Sequence, residues 1–208
     1  MRRRSFAPFV CSLALVVACS PPAQEDKKNT VRYQGEKFEV ITPASNFDAS
    51  DTRSYARKED GERIEQLMRA APIAQSFANL TEVLAALDQV AFPGYGRGLM
   101  PQQNSADPQE KSHIILAGLE IPNRYKSRYL AFKSRADGGY DLVDDFVLEP
   151  KPAPPAPPAP PPPKLAEGEE PPPPPPEPEP IPVVVSSLRF QGAKIRYLDA
   201  LGQVVREK

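Results

Sequence analysis

Apolar residues recur at helical spacing in two stretches of the chain. Ile64, Leu67, Met68 and Ala71 fall at i, i+3, i+4 and i+7, and Pro72 stops the run. Leu80, Val83, Leu84, Leu87 and Ala91 repeat that spacing behind Asn79, a residue suited to capping a helix N-terminus, and Pro93-Gly94 ends it. Elsewhere the period shortens. Val31-Arg32-Tyr33 and Phe38-Glu39-Val40-Ile41 flank Gln34-Gly35 as a small hairpin. Residues 43–57, rich in Ser, Asn and Asp, read as loop. His113-Ile114-Ile115-Leu116-Ala117 is a nearly all-apolar run, the pattern of a strand central in a sheet. Residues 128–134 and 140–148 form two further strands around Ala136-Asp137-Gly138-Gly139, whose Asp-Gly pair tolerates the positive φ angles of a tight turn. Helices followed by antiparallel strands predict an α+β fold for residues 30–149.

The pattern breaks over residues 150–182, where 19 of 33 positions are proline. Proline fixes φ and lacks an amide hydrogen, so this stretch cannot join a helix or a central strand. It reads as a disordered, polyproline-rich spacer that reaches roughly 100 Å if fully extended. Residues 183–208 return to strand patterning as a C-terminal β-hairpin, with a turn at Gln191-Gly192. So short a segment cannot enclose a core. It is therefore expected to dock on the strands of residues 113–148, the alternative being the sheet edge of a partner.

Composition narrows the function. Among 208 residues, 26 Lys and Arg nearly balance 27 Asp and Glu, for a net charge of −1. That balance argues against nucleic acid as a partner. One His and two Cys exclude most zinc sites, haem attachment and disulfide frameworks. At the start, Arg2, Arg3 and Arg4 precede an uncharged stretch from Phe6 to Ala18. It is shorter than the roughly 20 apolar residues of a spanning helix and fits the apolar region of a secretory signal.

That stretch ends in Val16-Val17-Ala18-Cys19. The run resembles the lipobox of bacterial lipoprotein precursors, with Val16 where that family prefers Leu. The resemblance implies a signal peptide over residues 1–18, cleaved before Cys19, and a diacylglyceryl thioether and acylated amine on that cysteine. Residues 19–29 then comprise the lipidated Cys19 and a polar, flexible tether. Each buried methylene contributes about 0.8 kcal/mol, so three acyl chains make a lasting anchor in a bilayer. Ser20 in the next position implies the outer membrane, facing the periplasm, with the outer leaflet of the inner membrane as the alternative. Loss of the leader also removes Cys11 and three arginines, which leaves a net charge near −4 and no free thiol.

Candidate chemistry is sparse. His113 neighbours Ser112, but adjacent strand residues face opposite ways and form no nucleophile–base pair. Gly94-Tyr95-Gly96-Arg97-Gly98 follows a helix rather than opening one, so it is a loop and not a phosphate cradle. With Phe92 it nonetheless suits a binding surface. Asp141, Asp145 and Glu149 share a strand face, but i, i+4 along a strand separates carboxylates by about 13 Å. The strongest candidate for ligand binding is Arg124, Tyr125, Lys126, Arg128 and Tyr129, where cations alternate with aromatics. No catalytic residue, metal ligand or cofactor is expected. The sequence thus predicts a membrane-anchored, non-enzymatic binding or scaffolding lipoprotein. Its partners are the bilayer, through Cys19, and an envelope protein, peptidoglycan or lipopolysaccharide. The alternative is a carboxylate-dependent envelope hydrolase.

Overall fold

The computed structural model describes residues 27–42, 55–100, 103–153 and 179–208. The leader with Cys19, the tether up to residue 26, residues 43–54 of the polar stretch and residues 154–178 of the proline-rich stretch lie outside the described residues.

Strands β1 (Lys27–Tyr33) and β2 (Glu36–Thr42) form an antiparallel hairpin, and β3 (Tyr55–Ala56) extends it to a three-stranded sheet. Its two-residue turn places Gln34 at φ 47° and Gly35 at φ 84°, the positive pair that matches strand twist in a tight hairpin. β1 thus begins inside the stretch that the sequence reads as tether. A single 3-10 turn over Lys58–Asp60 leads into helix α1 (Gly61–Ala70), which buries Ile64 and Met68 completely and ends before Pro72. Helix α2 (Leu80–Val90) buries Val83, Leu87 and Val90. Asn79 caps it: its side chain accepts from the Glu82 amide at 3.0 Å, while the Glu82 carboxylate accepts from the Ala78 amide at 2.8 Å. Such a reciprocal cap stabilises a helix by about 1 kcal/mol.

The central sheet is antiparallel. Its strands are β4 (Ser76–Phe77), β5 (Arg97–Leu99), β6 (Gln103–Asn104), β7 (His113–Ile121), β8 (Lys126–Ser134) and β9 (Tyr140–Val147), in the order β4-β9-β8-β7-β5, with β6 also paired to β7. One face carries Ile115, Ala117, Leu119, Ile121, Leu130 and Phe132 into a core with both helices and the N-terminal sheet. Phe92 sits in this core, edge-on to Tyr33, Phe38 and Tyr95. The opposite face carries Ile114, Leu116, Tyr129, Ala131 and Phe146. Packed on it are Val185, Leu188, Phe190, Ile195 and Tyr197, from the seam before and the strands within a C-terminal sheet of β10 (Ser187–Gln191), β11 (Lys194–Leu198) and β12 (Val204–Glu207). Lys151 and Ile181 exchange two backbone hydrogen bonds, of 2.8 and 3.0 Å, and so tie together the two ends of the proline-rich stretch.

The α+β expectation is therefore corrected. Among the described residues the fold is mostly β, with 44% in strands of three antiparallel sheets against 17% in helices. One sheet precedes the helices rather than following them, β4 lies between the helices, and the C-terminal element is a three-stranded sheet instead of a hairpin. The physical reason is length. Helices of 10 and 11 residues show a full apolar stripe, whereas strands of two or three residues, such as β3 to β6, are too short to show alternation.

Candidate functional site

Alternation along β8 separates the residues of the basic and aromatic cluster. Lys126 and Arg128 point toward α1, while Tyr129 points to the face covered by the C-terminal sheet. Glu65, a buried residue on α1, gathers the first two cations. Its carboxylate accepts from Arg124 at 2.8 Å, from Lys126 at 3.1 Å and from Arg69 at 2.8 Å. Burial alone would raise its pKa. The three cationic donors outweigh that effect and hold the carboxyl at about 2. Lys126 also pairs with Glu149 at 2.7 Å.

Arg128 is 3% exposed and acts as a bracket. It donates to both oxygens of Asp145, at 2.8 and 2.6 Å, and to the carbonyls of Met68 and Ala71 at the C-terminal end of α1. A cation is favoured there because those carbonyls have no partner within the helix. Arg124, Lys126 and Arg128 thus fasten helix to sheet and do not project together as one basic surface. Tyr129 is buried, stacks on Phe146 at 5.3 Å and accepts a 3.1 Å hydrogen bond from the Val185 amide. Tyr125 alone of the five is exposed, with φ 53°, and its hydroxyl donates to Glu179.

The acidic strand likewise faces cations. Asp141 accepts from Ser76 at 2.7 Å and Arg135 at 2.7 Å, and both hold it below the usual carboxylate range. Asp144 is buried and accepts twice from Arg206, at 3.0 Å each. Lys126, then Arg69, lower Glu149. A general acid needs the reverse, a carboxyl raised toward neutrality. Among the described residues, no three of His, Cys, Asp and Glu gather closely enough to hold a metal ion. No described helix is long and apolar enough to cross a membrane.

One constellation escapes the sequence. Ser134 Oγ lies 3.1 Å from His113 Nδ1, and His113 Nε2 lies 3.2 Å from the Tyr140 hydroxyl. The partners of His113 are 21 and 27 residues away, on β8 and β9, so no local motif announces them. Ser134 Oγ also accepts the His113 amide at 2.9 Å, and Ser134 pairs directly with Tyr140 across the hairpin. The trio locks the end of that hairpin to β7. None of its members lines the groove described next.

A cavity of about 630 Å³ lies over the part of the central sheet that the C-terminal strands leave open. Its floor is the row Gly98–Gly118–Tyr129 across β5, β7 and β8. A side chain at Gly118 would meet the Tyr129 ring at 3.2 Å, so glycine is what lets that ring lie against the floor. The walls are Tyr95 with Gly96, Tyr125, and the Pro182–Val185 seam. Leu99, Tyr125 and Val184 leave 45%, 42% and 53% of their surface in solvent around it. Tyr125, Lys126 and Tyr129 of the predicted cluster line the groove, as do Tyr95 and Arg97 of the glycine-rich loop. Compared with known proteins, the chain matches no family model, no curated sequence and no solved structure.

Proposed function

We propose that this protein is a lipid-anchored binding protein of the bacterial envelope, held at a membrane surface by acylated Cys19 and facing the periplasm. The observation that carries the binding role is the glycine-floored groove, where exposed apolar side chains gather around an uncovered stretch of sheet. Contiguous apolar exposure of this kind marks interaction surfaces. The anchor rests on the charged start, the short apolar run and the cysteine that ends it.

Two measurements test the two halves separately. Mass spectrometry of the protein extracted from membranes should find three acyl chains on Cys19, and Cys19→Ala should release the protein from the membrane fraction. An unmodified amino terminus sinks the anchor. For the binding role, a photo-crosslinking residue at Tyr125 should capture an envelope component in intact cells, and the same residue at Leu201 should not. Leu201 is 82% exposed and lies outside the groove. Equal capture from both positions rejects the groove as the site.

A further inference from the structure

The open edge of β5 and the charges of the groove point to its occupant. Two hydrogen bonds set the phase of β5: Met100 donates to the Leu116 carbonyl at 2.9 Å, and Glu120 donates to the Gly96 carbonyl at 3.3 Å. The even-numbered residues therefore pair with β7, and the amides and carbonyls of Arg97 and Leu99 point the other way. Among the described residues no strand lies on that side, because β5 ends the sheet. An unpaired edge beside exposed apolar side chains is a template for another strand.

The floor suits such a strand. Gly96, Gly98 and Gly118 leave the surface next to β5 without side chains, so alternate residues of an added segment have room to lie flat against it. Three charged residues line the groove, and two of them hold their charge in ion pairs with carboxylates. Arg97 pairs with Asp88 and donates to the Leu84 carbonyl at 3.1 Å. Lys126 is held by Glu65 and Glu149. Glu120 is exposed, and among the described residues its carboxylate forms no ion pair. Glu120 is thus the one charged residue of the groove's described lining without an ion pair, and Glu179 adds a second carboxylate beside Tyr125.

Resting on the binding reading above, we infer that the groove takes an extended polypeptide bearing a lysine or arginine, added as a strand to the outer edge of β5 with that cation against Glu120. Main-chain hydrogen bonds to Arg97 and Leu99 supply register, and the side chains over the glycine floor supply selectivity.

The test uses the full acylated protein, purified in detergent and labelled for amide NMR. The probes are the peptides acetyl-Val-Lys-Val-Lys-Val-amide and acetyl-Val-Glu-Val-Glu-Val-amide, and the trimer of N-acetylglucosamine. The lysine peptide should shift the amides of Arg97, Leu99 and Gly118 and slow hydrogen exchange at Arg97 and Leu99. Glu120→Gln should weaken it about two- to fivefold, the scale of an exposed ion pair, and Glu120→Lys should turn preference to the glutamate peptide. Gly98→Val should abolish binding without lowering the melting temperature, because a Cβ there meets nothing closer than the Gly118 carbonyl at 4.0 Å. Equal binding of both peptides overturns the charge selection. Shifts from the sugar alone overturn a polypeptide occupant while the binding reading stands. Lysine-peptide shifts that survive Gly98→Val, or the absence of any shift, overturn the inference. The crosslinking from Tyr125 judges the binding reading independently.

Discussion

Glu65 shows how one carboxylate converts a basic cluster into a structural joint. It is buried, sits on α1 and accepts from Arg69, Arg124 and Lys126. Glu65→Gln keeps the shape of the side chain and removes the charge that those donors face. The expected loss is on the order of 1–3 kcal/mol, because half-buried donors are left poorly satisfied. Urea unfolding followed by far-UV circular dichroism measures it, and an unchanged midpoint would refute the joint. The cluster was visible in the sequence as residues, but its role was not. Arg124 and Lys126 lie about sixty positions from Glu65, and only the pairing of β7 with β8 and the packing of α1 bring them together. Tyr125, Lys126 and Tyr129 do reach the groove, whereas Gly98 and Gly118, which shape its floor, carry no chemistry that a sequence pattern could flag.

At the level of elements, acid should loosen the C-terminal sheet. Strand β12 is fastened to β9 where Asp144 meets Arg206 at 3.0 Å and Lys208 at 3.6 Å. Burial pushes the Asp144 carboxyl up, but the Arg206 hydrogen bonds and the nearby cations win and hold it below its ordinary value. Lys133, Ser112 and Ser105 likewise hold Glu110 at about 2, where it also accepts from the Gly192 amide beside β10. Folded-state values below the unfolded ones mean that this stabilisation is complete above the ordinary carboxylate pKa of about 4. It is lost as pH falls through the lower folded values. Urea midpoints should therefore stay level from pH 7 to 5 and drop below pH 4. Asp144→Asn should cost on the order of 1–2 kcal/mol at pH 7, because Arg206 loses its charged partner while its own side chain keeps access to water. It should also reduce the acid slope and speed amide exchange across Leu188–Leu198. A slope identical to that of the parent would reject the assignment. The helices and longer hairpins were legible because their periods run for several residues. The layering was not, because it depends on which short strands reach the central sheet and on ion pairs such as Asp144 with Arg206, 62 residues apart.

For the molecule as a whole, the 29 residues between Lys151 and Ile181 are expected to be dispensable for folding. Their two ends already meet in a pair of backbone hydrogen bonds. Replacing them with a four-residue turn removes the Tyr125–Glu179 hydrogen bond and leaves the two apolar cores of the central sheet in place. Loop closure then becomes easier by about 2 kcal/mol, since its cost grows with the logarithm of loop length. Thermal unfolding should show an equal or higher melting temperature, and a collapse of stability would mean that the excised residues pack. The same bridge limits mechanics. A chain that leaves and returns at one point reaches no farther than half its contour, so these 29 residues cannot extend beyond about 50 Å from their base, whatever their conformation. Tension from anything that grips the segment arrives first at the two hydrogen bonds of this isolated bridge, which lies outside the three sheets. They act as a fuse, parting at modest force and paying out slack before the buried strands bear any load.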